Sequence, residues 1–233
     1  MKRALGASSL LLALLFGGCA NPLGYTTPRT VPPGQVVQIA SIEAYDFRTG
    51  DSSLLVPSAP SYQLRLGVVE RVDVGFRLSN FSGLGLDLKY NFHQSELFDV
   101  ALDPSVQRLG IVALVFWGDA ELRDEPPADA FAFDLPLLAG INLKPELSLV
   151  LRAGFLYITD ARDSEEDYDW LPDDSPWRLV HAGAGLDVRL TPRFAVHPAV
   201  SMLVDATNGE LRGVVGGIGF AFGSLPRHHG QSL

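Results

Sequence analysis

The stretch LGLDLKYNF at residues 84–92 alternates strictly between apolar side chains and polar or small ones. One face carries Leu84, Leu86, Leu88, Tyr90 and Phe92, and the other carries Gly85, Asp87, Lys89 and Asn91. A period of two residues indicates a β-strand with one apolar face. Because the same alternation recurs along the chain, the sequence predicts an all-β protein, with further strands in residues 62–68, 72–78, 147–157, 180–190, 194–204 and 214–222.

The connections between these strands are of two kinds. Short turns lie within residues 68–74, 142–149 and 189–196, and the apolar face keeps its register across each of them. The longer connections are residues 48–60, 118–130 and 159–175. Short turns at one end and longer loops at the other predict an antiparallel up-and-down β-barrel of about ten strands. Eight or twelve strands stay open as alternatives, because Pro104 and Gly110 can interrupt the segment 97–117.

A soluble barrel and a transmembrane barrel both alternate, but they differ in where their aromatic residues lie. Aromatic belts at both ends of the strands favour a barrel that spans a membrane. The long-loop end has Tyr45, Phe47, Tyr62, Trp117, Phe131, Tyr157 and Trp177, and the short-turn end has Tyr90, Phe92, Phe98, Phe194, Phe220 and Phe222. Glycines and isolated charges on the other face favour a narrow, filled lumen.

The short turns, the longer loops and the aromatic final strand GGIGFAFG (216–223) resemble the small bacterial outer-membrane β-barrels of the OmpA and OmpX type. The resemblance covers residues 36–222, and residues 223–233 form a C-terminal tail. It implies an outer-membrane location and contact with outer-membrane lipid. It does not fix the oligomeric state.

The start of the chain has the features of a secretory signal peptide. Lys2 and Arg3 precede a short apolar run, and Gly17 and Gly18 precede Cys19, the only cysteine. The small pair before the cysteine resembles the bacterial lipobox, so residues 1–18 are predicted to be a lipoprotein signal peptide and Cys19 the lipid acceptor. Cleavage after Ala20 and an uncleaved anchor are the alternatives. Residues 19–35, rich in proline, threonine and glycine, are predicted to be an extended tether.

The negative charge is concentrated in two loops. The chain has a formal net charge of −9, while residues 159–175 alone sum to −7 and residues 118–130 to −4. The remainder is close to neutral and has no basic stripe, so a nucleic-acid partner is not expected. The loop 159–175 carries alternating carboxylates that suit Ca²⁺, namely Asp163, Glu165, Asp167 and Asp169. It lacks the glycine of an EF-hand. No other cofactor is expected.

Several charged residues on the lumen face are placed to neutralise one another. The strand register predicts that Asp187 lies opposite His197, and Arg65 near Asp73. Lys89 is predicted to pair with Asp99 or Asp103. Asp187 and His197, with Ser201 on the same strand, loosely resemble a nucleophile set, but Ser201 and His197 are ~13 Å apart along the strand. The pairs are therefore interpreted as struts inside the barrel, and no catalytic residue is assigned.

Together these features predict a non-enzymatic outer-membrane β-barrel lipoprotein with a structural or adhesive role or a narrow passage for small solutes. Two alternatives remain. One is an outer-membrane hydrolase that acts on lipids or peptides, and the other is a periplasmic lipoprotein that binds an apolar ligand inside a soluble barrel.

Overall fold

A computed structural model describes residues 22–49, 52–57, 60–79, 83–109, 130–159 and 177–226. They form twelve β-strands in one antiparallel sheet that closes on itself. The strands are β1 (Val36–Thr49), β2 (Ser52–Pro57), β3 (Ser61–Val69), β4 (Val72–Ser79), β5 (Gly83–Gln94), β6 (Phe98–Leu102), β7 (Ser105–Leu109), β8 (Ala130–Lys144), β9 (Leu147–Ile158), β10 (Trp177–Thr191), β11 (Phe194–Asp205) and β12 (Leu211–Gly223).

The twelve strands make a ten-stranded barrel, because at two positions around the barrel two short consecutive strands take the place of one long strand. β2 and β3 follow one another along β1, and β6 and β7 follow one another between β5 and β8. The barrel closes where β1 pairs with β12, from Val37 opposite Gly223 to Phe47 opposite Gly213. The predicted fold class and the count of ten are thus confirmed.

The break between β6 and β7 lies at Asp103 and Pro104, so Pro104 interrupts the segment 97–117 at one of the two positions that the sequence marked. Proline lacks a backbone N–H and interrupts a ladder. Backbone hydrogen bonds to both neighbouring strands remain at this break: Leu88 N donates to Pro104 O at 3.0 Å, and Asp103 N donates to Pro136 O at 3.1 Å. The wall is therefore continuous although the strand is interrupted.

The predicted loop 48–60 is shorter than expected. β1 continues to Thr49, and β2 pairs back along it from Ser52 opposite Thr49 to Pro57 opposite Ala44. Most of this connection is thus a β-hairpin that extends the wall of the barrel.

The apolar face of the sheet points outward and the polar face points into the lumen. On β5, Leu86 and Leu88 are 60% and 46% exposed, whereas Asp87 and Lys89 are 6% and 0% exposed. This orientation is opposite to that of a soluble barrel with an apolar interior. Two predicted belt residues are wrong, because their side chains point inward: Tyr45 is 1% exposed, and Trp177 packs against the buried apolar cluster. Among the described residues, no helix is long and apolar enough to cross a bilayer.

The two ends of the barrel are named here by their connections. The turn end has the turns at residues 70–71, 95–97, 145–146 and 192–193, and the loop end has the connections β7–β8 and β9–β10. β1 begins and β12 ends at the turn end. Near the loop end, inward apolar residues pack into a layer, called the loop-end apolar layer, which consists of Tyr45, Ala132, Leu156, Leu179, Leu203 and Val215.

The segment predicted to be a tether lies inside the barrel instead. Residues 22–33, called the N-terminal plug, are almost wholly buried, with Leu23 4%, Arg29 1% and Val31 2% exposed. The plug enters at the turn end, where Gly34 N donates to Gly67 O at 2.8 Å and Gly67 N donates to Gln35 O at 3.0 Å. The tether prediction is corrected for residues 22–35, because composition revealed the irregular backbone but not its location.

Glycines in the wall make room for the plug. A Cβ atom placed on Gly219 would lie 2.6–2.8 Å from the side chain of Tyr25, which is closer than real Cβ contacts. Gly216, three residues earlier on the same strand, has nothing within 4 Å of such an atom. Packing inside the lumen therefore requires a glycine at position 219 but not at position 216.

This contrast makes a matched pair of substitutions. Gly219→Ala should destabilise the protein by about 1–3 kcal/mol, because the added methyl overpacks the site of Tyr25. Gly216→Ala should change stability by less than about 1 kcal/mol. Denaturant unfolding of both variants in detergent micelles measures the difference, and equal stabilities would contradict the seating of Tyr25 against β12.

Candidate functional site: the filled lumen

The guanidinium of Arg29 fastens the N-terminal plug to the turn end of the barrel. Its Nε lies 2.7 Å from Asp99 Oδ2, and its Nη2 donates to Ser95 O at 2.8 Å. The Arg29 and Asp99 side chains are 2% and 1% exposed. A fully buried ion pair of this kind holds its two segments together, because separating them leaves a charge unpaired in the interior.

Wall side chains also bind the backbone of the plug. Lys89 Nζ donates to Thr26 Oγ1 at 2.8 Å and to Thr27 O at 3.0 Å. Asn91 Nδ2 donates to Pro28 O at 3.0 Å, and Val31 N donates to Asp73 Oδ2 at 2.8 Å. A segment without regular secondary structure needs such partners, since buried backbone groups without hydrogen bonds are costly.

Arg65 is the centre of the charge network at mid-height. Its Nη2 lies 2.6 Å from Asp73 Oδ1 and 3.0 Å from Asp103 Oδ1, and its Nη1 contacts Asp87. Lys89 Nζ lies 3.3 Å from the other oxygen of Asp73. Three carboxylates therefore converge on one guanidinium, with a second cation beside them.

A second cluster continues the network toward the other side of the lumen. Asp134 accepts from Arg152 Nη2 at 2.9 Å, and His181 Nε2 lies 2.7 Å from its other oxygen. Arg152 Nη1 lies 3.8 Å from Asp103 Oδ2, which links this cluster to Arg65. The polar side chains of six strands, together with Asp103, are thus joined across the lumen.

The structure brings together most of the predicted lumen pairs. Arg65 lies with Asp73, and His197 Nδ1 lies 3.6 Å from Asp187 Oδ1, with Arg189 Nε 3.3 Å from Asp187 Oδ2. The partners predicted for Lys89 are corrected. Lys89 pairs with Asp73, because Arg29 of the plug pairs with Asp99 and Arg65 pairs with Asp103.

The loose nucleophile set does not assemble. Ser201 Oγ donates to Ala182 O at 3.2 Å, a backbone carbonyl of the neighbouring strand. His197 is four residues away along β11 and faces Asp187 instead. The Ser201 hydroxyl therefore has a structural partner, and His197 belongs to the charge network.

Sequence reasoning missed Arg29 and the pair Asp134–His181. Arg29 stands in a proline-rich segment that has no periodicity, so no pattern placed it in the lumen. Asp134 and His181 lie on β8 and β10, and β9 separates these strands. The alternation of each strand indicates that both side chains face the lumen. It does not show that they contact one another across β9.

Little space remains between the plug and the wall. One cavity of about 40 Å³ lies beside Gly24, Arg152, His197 and Ser201, and another of about 20 Å³ lies beside Lys89, Asp187 and His197. A buried water needs roughly 10–15 Å³ of such space, so the two cavities hold a few water molecules each at most. The described part of the lumen is filled rather than open.

Metal binding has no support among the described residues, which contain no group of three or more His, Cys, Asp or Glu able to hold an ion. The carboxylates predicted as a weak Ca²⁺ site, Asp163, Glu165, Asp167 and Asp169, lie outside the described residues. Cys19 does so as well. Ca²⁺ at the acidic loop stays a prediction.

Solved structures with a similar chain path are outer-membrane β-barrels. An outer-membrane channel from Pseudomonas putida F1 matches with a TM-score of 0.51 and 9% identity, over 88% of this chain and 100% of that one. The chain has the fold of an outer-membrane β-barrel. The translocator domain of the autotransporter NalP from Neisseria meningitidis matches with a TM-score of 0.44 and 11% identity, over 94% and 95% of the two chains.

The outer membrane protein Ail of Yersinia pestis matches with a TM-score of 0.38 and 13% identity, over 82% of this chain and 99% of that one. No protein-family model matches the chain, and no curated protein matches it in sequence.

The central position of Arg65 leads to a strong prediction. Arg65→Met should destabilise the barrel by about 3–5 kcal/mol or more, because it leaves buried carboxylates without their main cation. Arg178→Met, on the exposed outer face of β10, should change stability by less than about 0.5 kcal/mol. Equal unfolding midpoints for both variants in detergent would show that Arg65 does not hold the network together.

The contact between plug and wall can be measured by a double-mutant cycle. Arg29→Ala and Asp99→Ala should each destabilise the protein, and the double variant should be less destabilised than the sum of the two. The coupling energy from denaturant unfolding is expected at about 0.5–3 kcal/mol. Additive effects would mean that the two side chains do not interact in solution.

Proposed function

We propose that the protein is an outer-membrane β-barrel lipoprotein with Cys19 as its lipid acceptor, a barrel that works as a structural or adhesive platform, and no enzymatic activity. Its acidic connections at the loop end, residues 118–130 and 159–175, would contact partners outside the cell. The closed lumen supports this role above the alternatives, since a filled interior suits a platform better than a passage for solutes.

The outer surface supports a membrane location. Its large exposed side chains are mostly leucine, valine, isoleucine and phenylalanine, and they come from most of the strands. Aromatic side chains cluster near both ends, with Phe131, Phe133 and Tyr157 at ring-centroid distances of 6.4 Å and with Phe194 stacked on Phe222 at 4.9 Å. Such girdles are typical of barrels that contact lipid.

A hydrolytic role receives less support from the lumen. Its histidines face carboxylates in packed surroundings, and the adjacent cavities hold only a few waters. A lipid or peptide substrate has no room there unless the plug leaves. Catalysis inside the described lumen is therefore the weaker proposal.

The membrane location is tested by a charge placed on the outer face. Leu88→Arg, near the middle of β5, should weaken folding into lipid vesicles by about 2–4 kcal/mol, because an arginine at the bilayer midplane is costly on this face. Leu97→Arg, in the exposed β5–β6 turn, is the control and should change folding by less than about 1 kcal/mol.

The readouts are urea titration in vesicles and the gel mobility of unheated samples. Equal folding of the two variants, together with release of the Cys19→Ser protein into buffer, would contradict an embedded barrel.

A further inference from the structure

Among the strands that the structure describes, β2 alone has a partner on one side only. It pairs with β1 along its whole length. On its other side, the next strand of the wall is β4, which pairs with β3 and ends at Ser79. Tyr62 lies opposite Leu78, so Ser79 is level with Ser61, where β3 begins. No described strand therefore continues beside the second edge of β2.

The free edge of β2 lies beyond the aromatic belt at the loop end. Tyr62, which is 38% exposed and belongs to this belt, lies opposite Ala40 on β1. Pro57, the last residue of β2, lies opposite Ala44, four residues further toward the loop end. The six residues of β2 extend about 20 Å from there. The edge thus projects on the side of the acidic connections, beyond the lipid-facing surface of β3.

The position of Pro57 indicates which backbone groups face the free edge. The N–H and C=O groups of one strand residue point to the same edge, and successive residues alternate between the two edges. Pro57 has no N–H, and prolines in strands lie where the nitrogen faces away from the ladder. By this alternation, Ser53 and Leu55 also face away from β1. The free edge therefore presents the N–H groups of Ser53 and Leu55 and the C=O groups of all three residues.

The described part of β2 has little that protects this edge against pairing. Exposed edges of native sheets are commonly blocked by a charged side chain, a bulge, a proline or a covering loop. The sequence of β2, SSLLVP, has no charged residue, and its register with β1 is regular. Leu55 is 69% exposed. Pro57 blocks only the end of the edge that adjoins β3, so the rest of the strand is suited to accept another strand.

We propose that the free edge of β2 binds an extended segment of a partner protein as an added antiparallel strand, and that this segment carries lysine or arginine residues. The inference rests on the proposed function, because that function places the loop end outside the cell. In β-strand addition, hydrogen bonds between the two main chains supply the affinity. The exposed side chain of Leu55 adds an apolar contact on one face of the strand.

The charge of the loop end favours a basic partner. Residues 118–130 and 159–175 sum to −4 and −7. The β1–β2 hairpin itself carries two acids against one base, Asp46 and Asp51 against Arg48. A field of this sign raises the association rate of cationic partners and lowers that of anionic ones. The backbone edge and the charge together therefore describe one class of partner, an extended basic segment.

A second copy of this chain is a poorer occupant of the edge. Two copies in one membrane point their loop ends the same way, so their β2 strands run in the same direction and pair only in parallel. Parallel pairs are less stable per residue than antiparallel ones. The two sets of acidic connections also repel one another. Geometry and charge thus favour a different protein.

The first measurement is the binding of a labelled synthetic peptide to the whole protein in detergent, followed by fluorescence anisotropy. The peptide alternates threonine and valine and has two lysines at each end. Leu55→Pro should weaken its binding at least tenfold, because this change removes an N–H donor from the free edge only. Leu55→Ala is the control, since it also loses the leucine side chain but keeps the N–H, and it should change binding less than threefold. The gel mobility of unheated samples shows whether both variants fold.

Two further peptides separate main-chain pairing from charge. A peptide of the same sequence with its central amides N-methylated cannot donate hydrogen bonds to β2, so it should bind at least tenfold more weakly. A peptide with glutamates in place of the lysines should bind at least fivefold more weakly at low ionic strength. This second difference should shrink as salt is added, because salt screens charges that lie outside the protein.

The second measurement is amide hydrogen exchange, which locates the contact without a variant. In the protein alone, the amides of Ser53 and Leu55 should exchange quickly, whereas those of Leu54 and Val56, which face β1, should exchange more slowly. A saturating concentration of the lysine peptide should slow exchange at Ser53 and Leu55 at least tenfold.

The outcomes separate this proposal from the proposed function. Binding that Leu55→Pro and N-methylation weaken, with slowed exchange at Ser53 and Leu55, supports strand addition. Slow exchange of these amides in the protein alone overturns it, and the particle mass then assigns the occupant to a second copy or to another segment of the same chain. Absence of binding, or an equal loss in Leu55→Ala, also overturns strand addition but leaves the platform role intact. Binding to the purified protein but not to intact cells that produce it overturns the placement of the loop end outside the cell, and the proposed function with it.

Discussion

The constraint on which this structure depends is that a closed sheet with an apolar exterior sends most polar side chains of its strands into an enclosed space. Charges there have little water to solvate them, so each one needs a protein partner. Arg65 meets this requirement for Asp73, Asp87 and Asp103 together, and Lys89 and Arg152 complete the coordination of the same carboxylates. The interruption at Pro104 fits this arrangement, because it lies beside Asp103 at the centre of the network.

The width of the barrel explains why the wall alone does not fill it. About eight strands leave an interior that side chains just fill, and the diameter grows with strand number. Ten strands leave additional space, and in this chain residues 22–33 occupy it. Glycines facing the plug, such as Gly140 and Gly219, show that the wall is shaped around it. The plug and the wall are therefore parts of one packing solution.

Periodicity predicted the barrel because every strand has to satisfy the same inside–outside rule. It also placed Asp187 opposite His197, since a short turn fixes the register of adjacent strands. It did not reveal the plug, because prolines carry no alternation and the composition of residues 22–33 suits an exposed tether equally well. The partner of Lys89 was mistaken for a related reason: several carboxylates share its face, and the choice among them depends on where Arg29 lies.

The two halves of the lumen are filled by different means. Near the turn end, polar wall groups such as Asn91 and Asp99 use the plug as a hydrogen-bonding partner. Near the loop end, the wall fills its own interior with the loop-end apolar layer, in which Tyr45 and Val215 are each 1% exposed. This layer belongs to a larger buried apolar cluster to which the plug contributes Leu23, Tyr25 and Val31. The plug therefore supplies hydrogen-bonding partners to the polar half and apolar side chains to the buried cluster.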